Sequence, residues 1–290
     1  MTRNGRRSLW KLWHPHQRLW NWDLIGIVKK RVPIAPINKA LARGIILADT
    51  SLLFLRALSR RIFRVGPRKL FAKAKIPSDL TLFYFDLGTH EDGKELAHMV
   101  NQVLPRRGGN FKAYGFEANS DSYQQAKTKF AGKQNVKMVH AALCAEDPSS
   151  GKIRLYKMSG GMGDSIYRPT DSYEEVDATR FTTWLSDNRI VLDHNICLLR
   201  MNIEGAEYDV IKDLVDAGMA NNIDGYYGMW DDLSKIDVDR DDEFRAFLSR
   251  NRISPCTFNG RDMNLPLRQK CIDYDIDTSI LTKLKKLGRR

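Results

Sequence analysis

Phe83-Tyr84-Phe85-Asp86-Leu87-Gly88-Thr89-His90-Glu91-Asp92-Gly93 is an apolar run that ends in an acid and a glycine, and Tyr114-Gly115-Phe116-Glu117 repeats that ending after a helical stretch. In an open α/β sheet this pattern sets polar groups at the carboxyl ends of neighbouring strands, where nucleosides are held. Gly88 and Gly93 permit the sharp turn and close backbone approach that a ligand cradle needs, because glycine has no Cβ. Glu117 follows Gly93 by 24 residues, near the separation at which an acid on the second strand accepts hydrogen bonds from ribose hydroxyls.

The middle glycine of G-x-G-x-x-G is missing, and Thr89, His90, Glu91 and Asp92 occupy the loop. A pyrophosphate on a helix N-terminus favours bare amides and positive potential, which Glu91 and Asp92 oppose. S-adenosyl-L-methionine carries a sulfonium and an ammonium group, so an acidic loop suits it better than NAD. A strand, turn and helix with an ordinary polar loop is the alternative that needs no ligand.

The 290 residues are 42% hydrophobic, enough for a full core. The net charge of +12 is unevenly spread: residues 1–76 hold 18 Lys and Arg against only Asp23 and Asp49. The expected organisation is a basic, Trp-rich arm over 1–76 and an α/β domain over 77–290, divided near Gly66-Pro67 and Ile76-Pro77-Ser78. Trp10, Trp13, Trp20 and Trp22 alternate with Arg6, Arg7, Lys11 and Arg18. Tryptophan favours the headgroup region and cations are drawn to anionic lipid, so the arm suits a peripheral membrane surface; nucleic acid attracts the same charges. The third reading is a helix carrying Leu41, Ile45, Leu52, Leu55 and Ile62 against the domain with its arginines in water.

The apolar run from Ile45 to Leu55 is interrupted by Asp49, Thr50 and Ser51 and falls short of the roughly 20 residues a membrane span requires. Charge and tryptophan stand where a secretory signal would have its apolar stretch, although an Arg-rich, acid-poor start resembles an organellar transit peptide. Cys144, Cys197, Cys256 and Cys271 contain no C-x-x-C pair, so no zinc or disulfide framework is read and a reducing, cytoplasmic setting is expected, with attachment at a membrane face as an option.

Apolar runs and helical patterns alternate from residue 80. Leu80–Asp86 reads as a buried strand, and Leu96, Met99, Val100, Val103 and Leu104 recur at helical spacing. Phe111–Glu117 is a second strand, Asn119-Ser120 caps a helix that stops at Gly132, and Val136–Leu143 is a third strand whose Ala141-Ala142 leave room for an adenine ring. Ile153–Tyr156 and the Gly-rich Ser159–Gly163 suggest a hairpin or mobile loop, and Phe181–Leu185 a short helix. Asp224–Trp230 reads as a fifth strand, Phe258–Asp262 as a hairpin turn, Cys271–Ile276 as a last strand and Lys283–Arg290 as a solvated tail.

Ile196–Tyr208 supplies the second block of chemistry. Its apolar half is a strand, and Asn202, Glu204 and Glu207 follow where that strand ends, on the edge shared with Asp86 and Glu117. Glu204 is the candidate general base for an attacking hydroxyl, and Glu207 fits either substrate contact or the first turn of a helix. His90 is either a base or a loop hydrogen-bonder. Trp230-Asp231-Asp232 sets an aromatic face beside two carboxylates, suited to a sugar, while Trp230 serves equally as core.

Together Asp86-Leu87-Gly88 to Gly93, Gly115-Phe116-Glu117-Ala118-Asn119, Ala141-Ala142-Leu143 and Ile203-Glu204-Gly205-Ala206-Glu207 resemble the FkbM-type methyltransferases over roughly residues 80–276. The resemblance implies a class I Rossmann-like, doubly wound sheet and S-adenosyl-L-methionine-dependent methylation of a hydroxyl, commonly on a sugar, glycolipid or secondary metabolite. With the residue chemistry above, the expected site has Asp86, Gly88, Thr89, Gly93, Glu117, Ala118, Asn119, Ala141 and Ala142 at the cofactor, Glu204, Asn202 and His90 in catalysis, and Glu207, Trp230 and Asp231 at the acceptor. Two positions depart from the family: Asn202 replaces an acid, which weakens the case for a metal, and Arg200 replaces a lysine, which removes any basic role. An RNA-directed methyltransferase and a noncatalytic binding protein on the same scaffold are the other classes to consider.

Overall fold

The computed structural model describes residues 35–158, 163–230, 233–257 and 266–289. The tryptophans of the arm, Ser159–Met162, the Asp231-Asp232 pair and the expected turn at Phe258–Asp262 lie outside them. The chain divides into two compact units, one of Met1–Ala72 with Arg261–Thr278 and one of Lys73–Gly260 with Ser279–Arg290.

The first unit contains α1 (Ala35–Arg64). Leu53, Ala57 and Arg61 are buried, whereas Leu41, Leu52, Leu55 and Ile62 are 37–58% exposed, so the helix buries a different face from the one its leucine spacing suggests. Arg61 makes that face workable: its guanidinium donates to the carbonyls of Lys69, Ala72 and Tyr274 and lies over the Tyr274 ring, which satisfies the charge without solvent.

The second unit is α/β. Its parallel sheet has six strands: β1 (Thr81–Leu87), β2 (Asn110–Glu117), β3 (Val136–His140), β7 (Ile196–Met201), β8 (Gly225–Gly228) and the two-residue β9 (Cys256–Thr257), ordered β3-β2-β1-β7-β8-β9. The order reverses between β1 and β7, which is where open α/β sheets place their ligand crevice. A smaller sheet joins β4 (Ala142–Leu143), β5 (Lys152–Tyr156) and β6 (Tyr173–Thr179) in the order β4-β6-β5.

Alternation along the strands sorts the core. Phe83, Phe85 and Leu87 of β1 join Phe116, Leu199 and Met201 in a buried cluster with Phe181 and Trp184 of α4 (Phe181–Asp187). Phe116 meets Trp184 edge-on at a centroid separation of 4.7 Å, and Phe85 meets Phe181 at 5.2 Å, the geometry favoured by ring quadrupoles. After β1 the chain forms α2 (Lys94–His98), which runs directly into a π-helical turn at Met99–Val103. After β2, α3 (Ser120–Phe130) begins on Asn119, whose side chain accepts the Ser122 N–H as a helix cap should. The remaining helices of this region are α5 (Glu207–Asp216), α6 (Leu233–Ile236) and α7 (Val238–Arg250).

Three sequence expectations need correction. The strand read over Val136–Leu143 breaks at Ala141, because Ala142-Leu143 pair with β6 instead of β2. Cys271–Ile276 is not a strand but part of α8 (Pro266–Lys286). The tail is not wholly solvated, since Lys283 is buried and donates to the Asp193 carbonyl.

Candidate functional site

A cavity of about 110 Å³, open to solvent, lies at the carboxyl ends of β1, β2 and β7 within the second unit. Its floor is Gly88, where a Cβ would sit 2.0 Å from the Asn202 carbonyl oxygen; only glycine lets the β1 and β7 exits come this close. Phe116, Ala141, Ala142 and Leu143 form an apolar wall, and Glu117, Ala118 and Asn119 form the rim beside it.

Glu117 is held by the loop after β1. Its Oε2 accepts the His90 N–H at 2.7 Å and its Oε1 accepts the Asn119 N–H at 2.9 Å. Burial pushes its carboxyl up from the usual range, while those two amides pull the other way. Asn119 also donates through Nδ2 to Asp164 Oδ2 at 2.7 Å. That bond joins the β2 rim to the segment Gly163–Ile166, which closes another side of the cavity. Ser165 is buried and donates its hydroxyl to the Glu204 carbonyl at 2.8 Å.

Asn202 and Glu204 also line the cavity. Asn202 Oδ1 is buried without a hydrogen-bond partner among the described residues. Glu204 Oε2 lies 3.7 Å from Arg168 Nη1. His90 and Glu204 have φ of 62° and 52°, left-handed values that cost most non-glycine residues about 1–2 kcal/mol. Two of the four non-glycine residues with positive φ among the described residues therefore border one cavity.

Other residues singled out from sequence support the cavity from outside its lining. Asp86 is fully buried and accepts from Arg200 Nη1 at 2.9 Å; Arg200 Nη1 also donates to the Gly88 carbonyl at 2.6 Å, and its Nη2 lies 3.8 Å from Glu95. Burial pushes the Asp86 carboxyl up to about 6 against the pull of Arg200. Burial also acts to lower Arg200, but the Asp86 and Glu95 carboxylates outweigh it and hold the guanidinium above its ordinary value. Asp86 thus has a cation for a partner where a ligand contact was expected. Thr89 is buried with its hydroxyl donating to the Asp86 carbonyl, and Gly93 takes the left-handed turn before α2.

Glu207 accepts the N–H groups of Ile203 and Gly205 at 2.8 and 2.9 Å, so it shapes the loop carrying Glu204, and it is not among the residues that line the cavity. Trp230 is 3% exposed, donates to the Tyr227 carbonyl and stacks near Phe244; it is core, and its expected partner Asp231 lies outside the described residues.

Arg168, Asp164 and Ser165 are the neighbours that sequence reading missed. They follow the glycine-rich Ser159–Gly163, read from sequence as a hairpin or mobile loop, and that context is the signal that could have found them. Among the described residues no group of three or more His, Cys, Asp and Glu is placed to hold a metal ion. No protein-family model, no curated protein and no solved structure matches the chain.

Proposed function

We propose that this chain is an S-adenosyl-L-methionine-dependent O-methyltransferase with a class I Rossmann-like sheet, acting on a hydroxyl of a saccharide, glycolipid or related metabolite. The observation that carries the reading is the convergence of Glu117, Ala141-Ala142 and the left-handed pair His90 and Glu204 on one cavity at the sheet's switch point. Three carboxylates, Glu117, Asp164 and Glu204, stand around it. Such a lining favours a cationic ligand over a pyrophosphate.

The cavity fits the cofactor on features of its own. Small side chains at 141 and 142 leave flat apolar space for adenine, Glu117 has acceptor capacity for ribose hydroxyls, and Asn202 Oδ1 is a buried acceptor awaiting a donor. When bound, the cofactor supplies an electrophilic methyl group on its sulfonium. The protein's part is to orient the acceptor hydroxyl and remove its proton. Glu204 is the base: it lines the cavity, its carbonyl accepts from Ser165, and its carboxylate lies 3.7 Å from the Arg168 guanidinium. His90, also in the lining, is a further polar group able to position the acceptor.

The test is transfer of labelled methyl from S-adenosyl-L-methionine to a panel of saccharide, glycolipid and RNA acceptors, with Glu204→Gln in parallel. Labelling of a hydroxyl acceptor that Glu204→Gln loses supports the reading. RNA labelling alone, or cofactor binding with no acceptor labelled, replaces it.

A further inference from the structure

The outward side of α1 inverts the usual distribution of charge. From Ala40 to Phe63 every side chain described as exposed is uncharged, and Leu41, Leu47, Phe54, Leu55, Ile62 and Phe63 are 39–84% exposed. At 100° per residue these positions cover about half of the helix circumference. The described arginines, Arg56, Arg60, Arg61 and Arg64, take the opposite, packed or half-buried side. Arg60 pairs there with Asp275 at 3.2 Å, and Arg61 is fully buried. A solvent-facing helix side ordinarily carries the charge. This one presents a mainly apolar strip from Leu41 to Phe63, interrupted by Ser51 and Ser59 and about 33 Å long at 1.5 Å per residue, more than scattered surface leucines account for.

The chemistry around the strip identifies what covers it. At the carboxyl end of the helix, Phe71 is 85% exposed beside exposed Arg68 and Lys69. The unit's amino-terminal residues include Trp10, Trp13, Trp20 and Trp22 among arginines, and residues 1–76 hold only two acids against 18 bases. Among the described residues no helix is long and apolar enough to cross a membrane. An apolar face that ends at exposed Arg68 and Lys69, in a unit whose sequence is strongly basic and rich in tryptophan, matches a bilayer surface: hydrocarbon takes the leucines and phenylalanines, and anionic headgroups take the bases.

We propose that α1 lies in the plane of an anionic membrane, apolar face down, and that this contact anchors the protein. The inference is independent of the chemistry assigned to the cavity.

The test is co-sedimentation of the full chain with phosphatidylcholine vesicles and with vesicles that also contain phosphatidylserine, comparing wild type with Leu55→Asp and Phe63→Asp. Melting temperature and solution mass are recorded for each. The proposal expects binding that favours phosphatidylserine and falls about tenfold or more with each substitution, at unchanged melting temperature and mass. Absence of wild-type binding overturns it, as does binding that both substitutions leave intact. A wild-type dimer that the substitutions dissociate makes the strip a subunit interface instead. A lowered melting temperature assigns it to the chain's own amino-terminal segment.

Discussion

Asp86 of β1 and Arg200 of β7 are register partners across two parallel strands, and their side chains meet at 2.9 Å on the face of the sheet turned towards Glu95. The same guanidinium holds the Gly88 carbonyl, so the pair locks the strand ends on which the cavity rests. Arg200→Met should therefore cost about 3–5 kcal/mol, the usual result of stranding one buried charge. Adding Asp86→Leu should recover much of that loss. Urea melts of the single and double variants measure both.

Gly88 is the tightest point of that floor, with φ of 84° and the Asn202 carbonyl where a Cβ would go. Gly88→Ala should lower stability by more than about 3 kcal/mol, because strain and collision add. A melt close to wild type would mean that the β1 and β7 exits can separate.

Glu204 separates fold from chemistry. Its left-handed backbone makes Glu204→Gly more stable than Glu204→Ala by about 1 kcal/mol, while both variants should lose methyl transfer by about 10²–10⁴-fold and keep cofactor affinity. Thermal melts paired with transfer assays read the two effects separately.

Asp224 carries a pH signature. Burial raises its carboxyl to about 6, against the Cys197 N–H and Lys283, which lower it. Its folded pKa exceeds the ordinary value of 3.8, so the folded state binds its proton more tightly. That stabilisation is complete below about pH 4 and lost as pH rises through 6. Relative to Asp224→Asn, which keeps the acceptor for Cys197, wild type should lose on the order of 2–3 kcal/mol between those limits. A difference that stays flat from pH 4 to 7 would show that Asp224 ionises normally.

The elements legible in the sequence were those whose signal is local. β1, β2 and β7 are mostly apolar stretches with an acid, amide or glycine at the exit, and Asn119 announces its helix through cap chemistry. α8 was not legible as a helix because its buried face includes Arg268, Asp275, Ser279 and Lys283 among its apolar residues. Charges on an inward face blur the 3.6-residue period, and the stretch Cys271–Ile276 then reads as alternation. Register is also non-local: nothing near Asp86 or Arg200 in sequence says that they pair, although a charge inside each of two buried strands demands a partner. Asp164 reaches Asn119 across 45 residues, which is why the cavity's closing side went unread while its floor and rim did not.

Calorimetric titration with S-adenosylhomocysteine tests the central claim most directly, on wild type, Glu117→Ala and Ala141→Leu. The account predicts micromolar binding by wild type. Glu117→Ala should weaken it by about tenfold or more through loss of a charged acceptor, and Ala141→Leu should abolish it by filling the apolar wall, with each variant still melting cooperatively. Folded wild-type protein that binds neither S-adenosylhomocysteine nor S-adenosyl-L-methionine, or that binds them equally well after both substitutions, would contradict it.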